Sequence, residues 1–134
     1  MDPLLEAADL YLERLERYAT VELVRLKESG LESERDAISS RLKKDDRLVI
    51  LDEHGAQVTT LDLASRLRRW QELDRDVALV VGGADGVHPD LKARAHETLA
   101  LSKLTLPHRL AQVLLLEQLY RAHTILRGEP YHRA

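Results

Sequence analysis

Residues suited to ligand chemistry gather where three apolar runs of this sequence give way to polar ones. Leu48-Val49-Ile50-Leu51 leads into Asp52-Glu53-His54-Gly55. Residues 77–81 lead into Gly82-Gly83-Ala84-Asp85-Gly86, and the run beginning at Leu99 leads through Ser102-Lys103-Leu104-Thr105-Leu106-Pro107. Short continuous apolar runs of this kind read as strands buried on both faces of a parallel sheet. The carboxyl ends of such strands are where open α/β sheets bind ligands. The diglycine lets a ligand approach the backbone closely and permits positive φ. A tight turn is the plain alternative reading. The run is neither a GxGxxG fingerprint nor a P-loop, because the spacing differs and no Gly-Lys-Ser/Thr is present.

Other chemistries are excluded or unsupported. With no cysteine there is no disulfide, thiolate zinc site or cysteine nucleophile. His54, His88, His96, His108, His123 and His132 show no metal-ligand spacing on one helix face, and most read as surface residues. No serine sits in a nucleophile elbow. The acidic residues are many and read as solvated. The net charge of −3 is unevenly spread. Residues 101–134 carry five Lys or Arg against two Glu, while the first hundred carry fifteen basic against twenty-one acidic residues. A basic C-terminal segment on an acidic body can contact phosphate; ordinary scatter of surface charge describes it equally.

The elements that must position these residues follow from periodicity. A chain of 134 residues fits one domain and can bury roughly two-thirds of its unfolded surface. Its 44% hydrophobic and 32% charged residues are those of a soluble globular protein. Asp2-Pro3 starts a helix over residues 3–18, with Leu4, Ala8, Tyr11, Leu15 and Tyr18 on one face. Residues 21–26 read as a strand. Ser33 and Asp36 predict a capping box opening a short helix that bears Ile38 and Leu42. Thr59 or Thr60 caps a helix carrying Leu63, Leu67 and Trp70. Pro89 starts a short helix through His96, and residues 99–104 read as the third buried strand. Pro107 opens the longest helix, to about Leu126. Leu110, Val113, Leu114 and Tyr120 make it apolar around much of its girth, which suggests a dimer interface. Strands alternating with helices predict a three-layer α/β sandwich with a mostly parallel sheet. No basic and apolar leader and no membrane-length run is present, so the expected location is cytoplasmic.

Four motifs, Val80-Val81-Gly82-Gly83-Ala84-Asp85-Gly86, Leu101-Ser102-Lys103-Leu104-Thr105-Leu106-Pro107-His108, Glu117-Gln118-Leu119-Tyr120-Arg121-Ala122 and Pro130-Tyr131-His132-Arg133, resemble in order and spacing the ribosomal RNA large subunit methyltransferase H family. The similarity covers residues 2–134. It implies a SPOUT fold with a C-terminal trefoil knot, a rare exception to unknotted topology, and a homodimer. It further implies methyl transfer from S-adenosylmethionine to N3 of a pseudouridine in 23S rRNA of the assembled ribosome, without a metal. The matching positions assign the cofactor to Leu51, Asp52, Gly83, Ser102, Lys103, Leu104, Thr105, Leu106 and Pro107. Leu104 and Leu106 would wall the adenine. On the tail, the resemblance assigns His132 and Arg133 to base positioning and a positive charge, and Tyr131 to stacking or hydrogen bonding with the target. Arg121 and Arg109 would hold phosphate, or Arg121 would pair with Glu117 at i,i+4.

One departure stands out. Members of this family normally begin with a hydrophobic strand and a Gly-Lys-type turn, whereas this sequence starts almost at the helix N-cap. A sheet without that strand exposes backbone donors and acceptors, so either the start differs, the chain is trimmed, or the sheet closes up or is completed by another chain. A non-catalytic α/β dimeric module and a SPOUT enzyme acting on another RNA are the competing functional readings.

Overall fold

The structure, a computed structural model, describes residues 2–133. The elements in chain order are α1 (Pro3–Leu15), α2 (Leu31–Arg41), β1 (Arg47–Gln57), α3 (Thr60–Gln71), β2 (Val77–Val81), α4 (Pro89–Arg94), β3 (Glu97–Ala100) and α5 (His108–Leu126). The chain divides into two compact units. One comprises Val24–Gln57 and Asp74–His108; the other comprises Met1–Leu23, Val58–Leu73 and Arg109–Ala134.

The first of these units holds a three-stranded sheet in the order β2-β1-β3, with both ladders parallel. Side chains alternate across a strand, so Leu48 and Ile50 share one face of β1 and Val49 and Leu51 the other. None of the four is more than 8% exposed, as a strand buried on both faces requires. Leu48 and Ile50 pack with Val87, with Leu91 of α4 and with Ile38 and Leu42 from α2 and its C-cap. Each such aliphatic burial contributes about 1.5–3 kcal/mol. Before β3, His96 lengthens the ladder: its side-chain Nδ1 accepts the Leu48 N–H at 2.9 Å while its backbone N–H donates to the Leu48 carbonyl at 2.8 Å.

The other unit is helical. Asp2 caps α1 by accepting the Leu4 N–H at 2.9 Å. Thr59 caps α3 through a reciprocal box with Asp62, and Leu63, Ala64, Leu67 and Trp70 are buried along its apolar side. Leu115, Leu116, Leu119 and Ala122 form the buried stripe of α5. Thr60 Oγ1 donates to Gln118 Oε1 at 2.7 Å and Arg109 pairs with Asp2, so α5 is tied to both α3 and α1.

Several expectations are corrected. Residues 21–26 form no strand, because none of the described strands pairs with them and an unpaired strand has no ladder to stabilise it. Helix α2 starts at Leu31 with Gly30 as N-cap, so Ser33 lies inside its first turn. The Glu34 carboxylate takes the orphan N–H groups of Ser29 and Gly30 instead. Strand β1 continues past Asp52 to Gln57 through an irregularity in which Leu99 faces first Leu51 and then Ala56. Strand β3 ends at Ala100, not Leu104. Helix α1 stops at Leu15 because Tyr18 turns to stack on His123 at 5.2 Å and to donate to Glu129 at 2.9 Å. Helix α4 stops at Arg94, which frees His96 for the ladder.

Candidate functional site

The parallel ladders put Leu51 beside Val81 on one side and beside Leu99 on the other. The segments that follow β2 and β3, carrying Gly83 and residues 102–107, therefore leave the sheet at the same end, where Leu51 and Asp52 stand in β1. Thr105 Oγ1 donates to Glu53 Oε2 at 2.7 Å, which ties the last segment to the first. Ser102 Oγ accepts the Leu104 N–H at 2.9 Å, a turn that leaves the Leu104 side chain 73% exposed. Lys103, Thr105 and Pro107 are also exposed, and Leu106 is half-buried.

The Asp52 carboxylate is largely buried and fully engaged. One oxygen accepts the His54 N–H at 3.0 Å and the other pairs with Lys92 Nζ at 2.5 Å. Burial pushes its proton affinity up, but the His54 hydrogen bond and the Lys92 charge outweigh this and hold it below the ordinary range. Asp52 is thus a fixed anion. Lys92 carries no sequence signal for this role, since the pairing depends on α4 lying beside β1.

The diglycine loop closes by a Gly86 N–H to Gly83 carbonyl bond of 3.0 Å. The left-handed residue is Gly86, with φ +78°; Gly82 and Gly83 do not need positive φ. Gly82 is required for another reason: a Cβ there meets the Gly86 carbonyl carbon at 2.7 Å. Gly83 faces carboxylates, Glu34 Oε1 lying 3.3 Å from its Cβ position and Glu28 Oε1 3.9 Å. Neither glutamate was legible as part of this site, because Glu28 lies in the irregular segment before α2 and Glu34 in the first turn of α2, both far in sequence from Gly83.

The second cluster is built on α5 and the tail. Gly128, with φ +67°, ends the helix in a Schellman turn: its N–H donates to Ile125 and the Glu129 N–H donates to Thr124. The chain then doubles back along α5. Tyr131 Oη donates to Glu117 Oε2 at 2.8 Å, and Arg121 donates to the same oxygen through Nη2 at 2.9 Å and Nε at 3.1 Å. Gln118 Nε2 donates to the other oxygen at 2.7 Å. Burial raises the Glu117 proton affinity, but the Arg121 and Tyr131 hydrogen bonds outweigh it and keep the carboxyl ionised below its usual range. Burial and that same carboxylate push the Tyr131 phenol well up. Arg121 covers the Tyr131 ring at 4.6 Å, and Tyr120 meets it edge-on at 4.7 Å. Arg121 Nη1 also lies 3.2 Å from His132 Nδ1.

Of the predicted tail residues, Tyr131 is thus committed to the protein, His132 is half-buried beside Arg121, and Arg133 is exposed. Of the two readings of Arg121, the structure gives the Glu117 pair; Arg109 is engaged by Asp2. The histidines are not mainly surface residues. His54 and His96 are exposed, His88, His108 and His132 are half-buried and His123 is buried, while His88 and His96 use Nδ1 to accept backbone N–H groups. Among the described residues, no group of three His, Cys, Asp or Glu is arranged to hold a metal ion, and no helix is long and apolar enough to cross a membrane.

Residues 1–132 match a family model described as "Predicted SPOUT methyltransferase". The chain is 49% identical over 135 residues to a protein of Anaeromyxobacter dehalogenans (strain 2CP-C) named "Ribosomal RNA large subunit methyltransferase H", spanning 95% of this chain and 88% of the relative. Proteins with the same name from Nitrosomonas eutropha and Paraburkholderia phymatum are 47% and 55% identical. These matches cover 92% and 79% of this chain, and 86% and 68% of the relatives.

Proposed function

Because the chain belongs to the SPOUT methyltransferase family, we propose that it methylates ribosomal RNA. In this reading S-adenosylmethionine is the methyl donor, and N3 of a pseudouridine in 23S rRNA of the assembled ribosome is the acceptor. The observation that carries the reading is near-full-length identity to relatives named for large-subunit rRNA methylation. A trefoil knot in the C-terminal half, a homodimer and a cytoplasmic location belong to the same reading. Leu10 and Leu110, large and exposed, support a surface covered by a second copy.

The residues at the sheet edge fit the cofactor. The side of Gly83 where a Cβ would stand is met only by the Glu34 and Glu28 carboxylates, at 3.3 and 3.9 Å, and these suit a cationic ligand. Exposed Leu104 and half-buried Leu106 offer apolar walls for an adenine. The bound sulfonium supplies an already activated methyl group. What remains for the protein is to align acceptor and donor and to stabilise the anion left when the imide N–H is lost. Arg133 is the exposed cation suited to that anion. Tyr131 anchors the tail through Glu117 rather than offering its hydroxyl to the RNA.

Titration calorimetry with S-adenosylmethionine, paired with a tritium-methyl assay on ribosomes lacking the modification, tests the proposal. Binding, and label on a 23S pseudouridine, are expected. No binding at millimolar cofactor points to a non-catalytic module, and label on another base points to a different RNA target; either result overturns the reading.

A further inference from the structure

We infer that Glu117 and Arg121 fix His132 as a neutral imidazole with its proton on Nε2, making it a hydrogen-bond donor to the target base rather than a proton acceptor. The inference rests on the methyltransferase reading for its target, but its structural premise stands independently. A guanidinium has only donors and stays charged. Its Nη1 lies 3.2 Å from His132 Nδ1, so the contact is favourable only if that nitrogen presents a lone pair. In a neutral ring the proton is then on Nε2. An imidazolium would set an N–H and a positive charge against the guanidinium.

Arg121 cannot swing away easily. Nε and Nη2 are both held by the Glu117 carboxylate, and its Cζ lies over the Tyr131 ring, 4.6 Å from the centroid. Glu117 is itself held by Tyr131 and Gln118. The chain Glu117–Arg121–His132 therefore resembles a carboxylate orienting a catalytic ring, with an arginine inserted that reverses the outcome: the ring is pinned as a donor. Loss of the imide proton from the acceptor spreads negative charge over its two flanking carbonyl oxygens. A fixed Nε2–H can stabilise one of them as the N3–C bond forms and the C–S bond breaks, the electron pair passing to sulfur. The imide proton leaves to water, not to His132. Glu117 and Arg121 are positioning residues in this scheme.

Long-range proton–nitrogen correlation spectra of histidine-labelled protein, with His132 assigned by His132→Gln, read the tautomer without any activity. Nδ1 is expected unprotonated and Nε2 protonated; a proton on Nδ1 overturns the inference. Arg121→Gln is expected to mix the tautomers while leaving S-adenosylmethionine affinity unchanged; an unaltered tautomer overturns Arg121's role. In the methylation assay, Gln at 132 supplies an N–H near the Nε2 position but is no base. His132→Gln is therefore expected to stay within about tenfold of wild type in kcat, whereas His132→Leu loses about 10²-fold. Equal loss in both variants overturns the donor role. If the wild-type protein methylates nothing, the methyltransferase reading fails while the tautomer measurement still decides the premise.

Discussion

Glu117→Gln is the most informative single change, because it keeps the shape of the side chain and removes only its charge. The carboxylate receives four hydrogen bonds within 3.1 Å, two from Arg121 and one each from Tyr131 and Gln118. Its side chain is 15% exposed and that of Arg121 is 24% exposed, so solvent screens the pair little. Charge-assisted hydrogen bonds contribute about 1.5–3 kcal/mol each against about 0.5–1.5 for neutral ones. The amide must also turn its NH2 toward a donor. Allowing for relaxation, the expected loss is about 2–4 kcal/mol. For a domain of this size each kcal/mol lowers Tm by about 4 °C, so the variant should melt about 8–16 °C below wild type at pH 7. The pH dependence has a definite sign. The folded protein holds the Glu117 carboxyl below its ordinary value of 4.5, so its contribution is complete above that value and is lost as pH falls through the lowered one. Calorimetric melts at pH 7 and at the lowest pH that still gives a cooperative transition should show the gap narrowing. A variant that melts within about 1 °C of wild type at pH 7, or a gap that stays constant into acid, would refute the account of this cluster.

Two further changes separate the sheet edge from the tail. Gly82→Ala places a methyl 2.7 Å from the Gly86 carbonyl carbon and 2.9 Å from Val87 Cγ2, so the loop must open. Overpacking of this kind costs about 1–3 kcal/mol, and calorimetry should show S-adenosylmethionine affinity falling about tenfold; unchanged affinity counts against the loop as a cofactor site. Gly128→Ala meets no atom within 4 Å but must hold φ +67°, a left-handed strain of about 1–2 kcal/mol. It should lower ribosome methylation while leaving cofactor affinity intact, and a parallel loss of both would argue that the Schellman turn acts on the whole fold rather than on the tail.

Much of the fold was legible because local rules and tertiary demands agree there. The Leu48–Leu51 run reads as a strand buried on both faces and is one, and a cap at Thr59 or Thr60 opens a helix that the structure starts from Thr59. Where they diverge, the sequence misleads. Residues 21–26 have strand composition but no ladder among the described residues, and composition cannot supply a partner. Ser33 has a capping signature, yet the helix starts two residues earlier at Leu31, and the Glu34 carboxylate takes the N–H groups of Ser29 and Gly30. The proposed cofactor residues rest on strand ends and on resemblance, but Lys92, Glu28 and Glu34 were invisible, since each meets Asp52 or Gly83 only through folding of a distant segment.

The tail shows the division most clearly. The sequence alone determined that Glu117 and Arg121 lie on one helix face, because a 3.6-residue period is a local property. Only the tertiary structure decided that Tyr131 reaches Glu117 and that His132 presents Nδ1 to Arg121. Those contacts join residues 11 and 14 positions apart across a reversal of direction. A chain that frays at its end and one that docks there differ in sequence by nothing local. They differ in whether a largely buried carboxylate, already desolvated by its helix, gains enough from one more donor to hold the tail in place.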